Sequence, residues 1–289
     1  MLKFDYLRPG SVKEACRLLA QHKEKAKVIA GGTDLMVQLR DEDKKLKDIA
    51  YVIDINHLKE LKYIKKDGDY LRIGALTTHD EIYKSELINE AVPFLAQAVN
   101  TVGSPQIRHR GTIGGSICNA SPAADPVPPL VALDAQLKLV SAKGEREVSL
   151  LSIFEKPYVT NLAPDELLVE VYFKGLPENT KTSFIKLGRR KALAIARMNI
   201  AAAITLDSEG KVVEARIAPG SVLPKPDRVR TAEELLLGKA PDQKLLEEAG
   251  RKVSEEMIKR SGIRWSTEYK KPVIEALTQR VINQALGVE

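Results

Sequence analysis

Cysteine is scarce in this chain: Cys16 and Cys118 are the only two in 289 residues, and no Cys-x-x-Cys occurs. Neither a disulfide framework nor a four-thiolate iron–sulfur or zinc site can be built from them, so any metal centre must come from a partner. The histidines offer no substitute, because His22, His57 and His79 are scattered without ligand spacing. Long apolar runs are also missing. The longest, residues 200–206, is far short of the roughly twenty residues that span a bilayer. The start, Met1-Leu2-Lys3-Phe4-Asp5-Tyr6, has no apolar core of the signal-peptide type, and a cytoplasmic protein is expected. Aromatics make up only 5% and no nucleic-acid motif is present, so nucleic acid is not an expected partner. Gly-x-Gly-x-x-Gly and Gly-Lys-Ser/Thr are both absent, which disfavours the usual NAD and ATP loops.

What is present is a globular composition, with 44% hydrophobic and 29% charged residues. The length calls for two or three domains with cores large enough to bury a cofactor. The net charge of +6 is modest, but Lys181, Lys186, Arg189, Arg190 and Lys191 crowd one segment, and Arg108-His109-Arg110 forms a second cluster. Such runs read as a solvated face, a subunit contact or a site for an anionic ligand. Charge reversal there is expected to disturb assembly or cofactor content.

Along the chain, Ser11 and Glu14 have the spacing of a capping box ahead of a helix carrying Val12, Ala15, Leu18 and Leu19. Residues 27–30 read as a strand, 35–40 as a helix and 50–55 as a strand, making a βαβ-like unit of about fifty-five residues. Residues 61–64 and 70–74 read as strands, 78–98 as one helix, and 137–140 and 167–173 as strands. Lys174-Gly175-Leu176-Pro177-Glu178-Asn179 combines linker residues, so a boundary is expected near residue 178. Beyond it, strands at 183–187, 198–206 and 212–217, a capping box at Thr231-Ala232-Glu233-Glu234 and helices at 243–260 and 267–286 describe an α+β unit.

Two glycine doublets punctuate the first part, Ala30-Gly31-Gly32-Thr33-Asp34 and Thr112-Ile113-Gly114-Gly115-Ser116. Singly, each reads as a turn. The first stands between a strand and a helix, where glycine lets backbone N–H groups approach an anion and the helix start adds partial positive charge. The second lies in residues 102–126, a stretch rich in small and polar residues that reads as a long binding loop. Within it Asp125 is an acceptor suited to a sugar or ribityl hydroxyl, or a turn-forming residue before Pro126. Cys118 is expected to be small, buried and apolar. His109 reads as a loop or interface residue, since two flanking arginines make it a poor nucleophile.

Ala-Gly-Gly-Thr-Asp-Leu at 30–35, and Gly-Ser-Pro-Gln-Ile-Arg-His-Arg-Gly-Thr-Ile-Gly-Gly-Ser-Ile-x-Asn-Ala-Ser-Pro-Ala-Ala-Asp at 103–125, resemble the FAD-binding medium subunit of the molybdenum hydroxylases. That family includes carbon monoxide dehydrogenase and xanthine dehydrogenase. The likeness extends through Phe184-Ile185-Lys186-Leu187-Gly188-Arg189-Arg190 and Ile195–Ala201, and so covers nearly the whole chain. It implies an α+β fold: a two-part FAD-binding domain of the vanillyl-alcohol-oxidase/PCMH type at 1–177, with subdomains at about 1–56 and 57–177. A C-terminal domain of the CO dehydrogenase flavoprotein type, a three-stranded antiparallel sheet with helices, follows at 178–289.

The resemblance further implies that Ile29, Ala30, Gly31, Gly32, Thr33, Asp34 and Leu35 wrap the FAD diphosphate. Thr112, Ile113, Gly114, Gly115, Ser116, Asn119 and Asp125 then contact its diphosphate, ribityl and adenosine portions. Lys186 either places positive charge near the flavin or is an ordinary exposed strand lysine. No side chain is catalytic and none binds metal. The implied partners are a large molybdopterin subunit and a small [2Fe-2S] subunit, in a dimer of heterotrimers; the molybdenum cofactor and clusters reside on them. The flavin would pass electrons to an external acceptor. The alternative is a self-contained FAD oxidoreductase of the same fold, which needs a substrate site that the sequence does not display. Valine at Gly32 or Gly115 is expected to abolish FAD retention.

Overall fold

The computed structural model describes residues 1–288, and three sheets organise them. The first is parallel, in the order β1 (Asp5–Leu7), β3 (Tyr51–Asp54), β2 (Ala26–Ile29). Between β1 and β2 runs α1 (Val12–His22), and α2 (Leu35–Arg40) lies between β2 and β3. Both faces of this small sheet are covered, as parallel strands require. Ile53 packs with Ala15, Cys16 and Leu19 on one side, while Val52 packs with Leu39 and Leu46 on the other. The three-residue β1 has no readable pattern in the sequence and is held by its ladder to β3.

The second sheet is antiparallel, in the order β4 (Ile64–Asp67), β5 (Tyr70–Gly74), β10 (Leu167–Lys174), β6 (Gln136–Ser141), β7 (Gly144–Ser149). The strand expected at 61–64 begins only at Ile64, because 59–61 wind into a 3-10 turn. β7 went unpredicted: Gly-Glu-Arg-Glu-Val-Ser lacks apolar alternation because it is an exposed edge strand. A short pair, β8 (Phe154–Lys156) and β9 (Val159–Thr160), follows it.

The single helix expected at 78–98 is three: α3 (His79–Lys84), α4 (Glu86–Ala91) and α5 (Pro93–Asn100). Ser85 caps the second, and Pro93 forces a new start because it has no N–H to continue the preceding helix. The stretch expected as a long loop at 102–126 also holds structure, with α6 (Pro105–Arg108) and α7 (Ile113–Asn119). The proline-rich α8 (Val127–Ala132) comes next. Together with the antiparallel sheet these helices enclose the largest core, around Phe94, Leu95, Ile113, Ile117, Leu130 and Phe173.

The third sheet, β11 (Thr180–Leu187), β12 (Met198–Leu206), β13 (Val212–Gly220), is antiparallel. β12 is apolar almost throughout because both its faces are covered, and alternation sorts its residues by size. Small Ala201 and Ala203 face the first core, whereas Ile200 and Ile204 face α9 (Arg230–Leu236), α10 (Gln243–Ser261) and α11 (Thr267–Leu286). The capping box expected at Thr231 does not form. The cap lies two residues earlier, at Val229 with no side-chain cap, so Thr231 falls inside the helix; its neighbour Glu233 is buried, accepting from Ile217 N at 2.7 Å and from Arg228 at 2.8 Å. At Ser11 only half of a box forms: its hydroxyl accepts from Glu14 N, while the Glu14 carboxylate takes Gly10 N.

Candidate functional site

The two doublets meet. Gly31 lies so close to the chain at Arg110 that a Cβ there would sit 1.8 Å from the Arg110 carbonyl oxygen, so only glycine permits the approach. Asn119 Nδ2 donates to Asp34 Oδ1 at 3.1 Å and ties the end of α7 to the first loop. Of the predicted residues, Ile29 ends β2, Ala30 to Asp34 form the loop, and Leu35 opens α2. Thr112 caps α7, Ile113 to Ser116 are its first turn, and Asn119 is its last residue.

The backbone donors of the two segments are used differently. The N–H groups of Gly31, Gly32, Thr33, Asp34 and Leu35 have no acceptor among the described residues. Gly32, within this run, has φ +77°, a conformation side chains resist. In the second segment every amide from 113 to 116 is occupied. Ile113 N donates to Thr77 O at 3.0 Å, Gly114 N to Ala75 O at 3.0 Å, Gly115 N to Thr112 Oγ1 at 3.1 Å and Ser116 N to Thr112 O at 3.0 Å. Gly114 is needed for packing: a Cβ there would lie 2.7 Å from the Cβ of Ala75, so α7 rests directly on the end of β5. What this segment can offer a ligand is therefore the half-buried side chains of Ser116 and Asn119.

Ser116 Oγ lies 3.0 Å from Nε2 of His79, a residue for which the sequence suggested no role. His79 is the first residue of α3, capped by Thr78 with Glu81 in a complete capping box, a Thr-x-x-Glu signal that is legible in the sequence. Its backbone N–H donates to Gly111 O at 3.0 Å, so it sits beneath the approach to the doublet. Burial, with the nearby Arg108 guanidinium, pushes the imidazole pKa down to about 4 and keeps the ring neutral.

Asp125 and Lys186 do not join the doublets. They form a buried pair at 2.6 Å, with Asn199 Nδ2 on the other carboxylate oxygen at 3.0 Å and the Lys186 ammonium also on Thr101 O at 2.9 Å. Burial raises the Asp125 pKa against the opposing pull of Lys186 and Asn199. Lys186 is thus neither an exposed strand lysine nor part of a surface basic patch. Each carboxylate oxygen of Asp125 accepts a hydrogen bond within the chain, and the two together join β11 and β12 to the segment before α8.

Cys118 is exposed rather than buried, while Cys16 is buried, with its thiol near Val140 O. His109 is exposed, with its ring on Pro105 O and 3.5 Å from Asp80. Among the described residues no three His, Cys, Asp or Glu side chains are grouped to hold a metal ion, and no helix is long and apolar enough to cross a membrane.

Residues 2–173 match the family described as the FAD binding domain in molybdopterin dehydrogenase, and residues 183–285 match the CO dehydrogenase flavoprotein C-terminal domain. The chain belongs to the FAD-binding subunits of the molybdenum hydroxylases. It is 34% identical to the glyceraldehyde dehydrogenase medium chain of Sulfolobus acidocaldarius, over 98% of both chains. It is 32% identical to the xanthine dehydrogenase FAD-binding subunit of Escherichia coli O157:H7, over 98% of this chain and 96% of that one. Its fold superposes on carbon monoxide dehydrogenase from Hydrogenophaga pseudoflava with a TM-score of 0.89 at 30% identity, covering 99% and 98% of the two chains. Relatives in this family are subunits of multi-subunit dehydrogenases, and this chain is accordingly an oxidoreductase subunit with a FAD-binding domain.

The five open amides fit that cofactor. A cluster of unpaired backbone donors, without a carboxylate of its own cap closing over them, is the donor set a diphosphate needs.

Proposed function

We propose that this chain is the electron-transfer flavoprotein of a molybdenum hydroxylase. It would accept electrons from the iron–sulfur clusters of a small subunit, after substrate oxidation on a large molybdopterin subunit, in a dimer of heterotrimers. Bound FAD supplies the redox chemistry, since its ring system exchanges one or two electrons where side chains cannot. The chain's own part is to bind and orient. The amides of residues 31–35 hold the diphosphate, with Ile29 and Ala30 forming the strand end that fixes their direction. Thr112 to Ser116 and Asn119 close the site from the other side. The buried Asp125–Lys186 pair keeps the C-terminal domain seated against it and sets the local charge. In this reading the FAD-binding domain is 1–177, with subdomains 1–56 and 57–177, and the second domain is 178–289. The acceptor is an external molecule, and the holoenzyme works in the cytoplasm.

The observation that carries this reading is the row of five unpaired amides at the meeting point of the two doublets. Its test is the absorption spectrum of the purified full chain after incubation with FAD and gel filtration, followed by co-purification with co-expressed neighbouring subunits. A yellow protein with one flavin per chain, eluting with a molybdenum and an iron–sulfur subunit, is expected. A colourless chain would sink the cofactor assignment, and a flavoprotein that turns over substrate alone would sink the subunit assignment.

A further inference from the structure

Because the amides of the second doublet are committed inside the chain, a hydrogen bond from it to a ligand must come from a side chain. Ser116 is the candidate, and its hydroxyl has one proton to give. That hydroxyl already touches His79 Nε2 at 3.0 Å, so which partner holds the shared proton decides what Ser116 can do. A neutral imidazole carries one N–H. With the proton on Nδ1, Ser116 would donate to Nε2 and turn only lone pairs toward a ligand, which phosphate oxygens repel. With the proton on Nε2, the ring donates to Ser116, and the hydroxyl proton is free.

Burial separates the two arrangements. His79 is 1% exposed and its Nδ1 has no hydrogen-bond partner among the described residues. A buried N–H without an acceptor is the rarer and costlier orphan, whereas an orphaned lone pair is better tolerated. The same choice that spares an orphaned donor therefore makes Ser116 a donor.

We infer that His79 is a positioning residue: its Nε2–H donates to Ser116 Oγ and thereby turns the serine proton outward as a hydrogen-bond donor to an anionic oxygen of the dinucleotide. This rests on the FAD assignment above. It gives the second doublet a donor that its backbone lacks, and it explains why a histidine is buried beneath a glycine-rich turn. His79 itself never touches the cofactor.

The tautomer is read directly by two-dimensional long-range 15N–1H spectroscopy on the full chain, with the His79 signals identified by their loss in His79→Gln. One protonated nitrogen at the ε2 position and a bare δ1 nitrogen at neutral pH are expected; a δ1-protonated ring overturns the inference whatever the protein binds. Flavin affinity, by fluorescence quenching, is the second measurement. His79→Leu and Ser116→Ala should each weaken FAD binding about tenfold, the loss of one charge-assisted hydrogen bond. The double variant should be no weaker than either alone, and His79→Gln, whose amide can still donate to Ser116, should restore most of the affinity. Equal affinity in the wild type and Ser116→Ala overturns the inference, and that variant leaves the buried ring in place should His79→Leu fail to fold. A wild type that takes up no FAD refutes the cofactor assignment and leaves the spectroscopic result to decide the tautomer.

Discussion

Gly31-Gly32 sits in a loop whose five amides lack partners, whereas Gly114-Gly115 opens a helix whose amides are bonded to Thr77, Ala75 and Thr112. The first doublet makes room for a second backbone and leaves its amides open; the second makes room for the packing of its own helix. In the first, Gly31 meets Arg110 and Gly32 adopts a left-handed turn. In the second, Gly114 rests on Ala75 and Gly115 faces only the Thr112 hydroxyl that caps it. The same dipeptide thus leaves amides open in one place and serves packing in the other; in the reading proposed above, the first holds the cofactor and side chains supply the second segment's donors.

That contrast can be broken most severely at Gly31. Gly31→Val should separate the loops and weaken FAD retention about a hundredfold or more, by overpacking a backbone contact that cannot yield; flavin content after gel filtration reads it. Retention at the wild-type level would show that the close approach to Arg110 is not part of the site.

His79, beneath the second doublet, gives the next largest effect and a pH signature. Its folded pKa of about 4 lies below the ordinary 6.5. As pH falls through 6.5 the unfolded chain takes up the proton first, so stability is whole above that pH and is lost progressively down to about 4. The loss should reach about 3 kcal/mol by linkage. Denaturant melts of the wild type and His79→Gln between pH 7 and 4 should diverge by that amount, and parallel curves would mean that the ring titrates alike in the folded and the unfolded chain.

Gly114→Ala should destabilise the chain by about 2 kcal/mol through its clash with Ala75. Thermal unfolding measures it, and the flavin affinity of the folded fraction should change far less than in Gly31→Val. Gly115→Ala is the mildest, within about 1 kcal/mol, since its new Cβ meets only Thr112 Oγ1 at 3.0 Å. A loss of flavin there as complete as at Gly31 would show that the open side of the helix is filled by the cofactor. Within the doublets the tightest approaches are at Gly31 and Gly114, positions to be compared with the valine substitutions at Gly32 and Gly115 that the sequence suggests.

Much of the architecture was legible along the chain. The strand 70–74 and the helices 35–40 and 267–286 were bounded to the residue, because each carries its own periodicity and end signals. β7 and the breaks at Ser85 and Val92 were not, since an exposed edge strand has no apolar alternation and short helices joined by a cap look like one. The capping box at Thr231 misled because the helix already begins at Arg230, its first turn held by the buried Glu233 on Arg228 and Ile217 N, partners that local spacing does not reveal. At the site, both doublets and Ser116 and Asn119 could be picked out from sequence. Asn199 and Thr101, which complete the Asp125–Lys186 pair, could not, because they come from distant segments.

The sequence by itself determined the family, much of the order of the elements and the placing of the first glycine pair between a strand and a helix, because these rest on local backbone freedom and residue order. The tertiary structure alone decided which amides stay free, that His79 is buried neutral under Ser116, and that Asp125 and Lys186 spend their charges on each other. Hydrogen-bond satisfaction and burial are set by neighbours far away in the chain, and for both doublets it was those neighbours that decided which amides are bonded and which stay open.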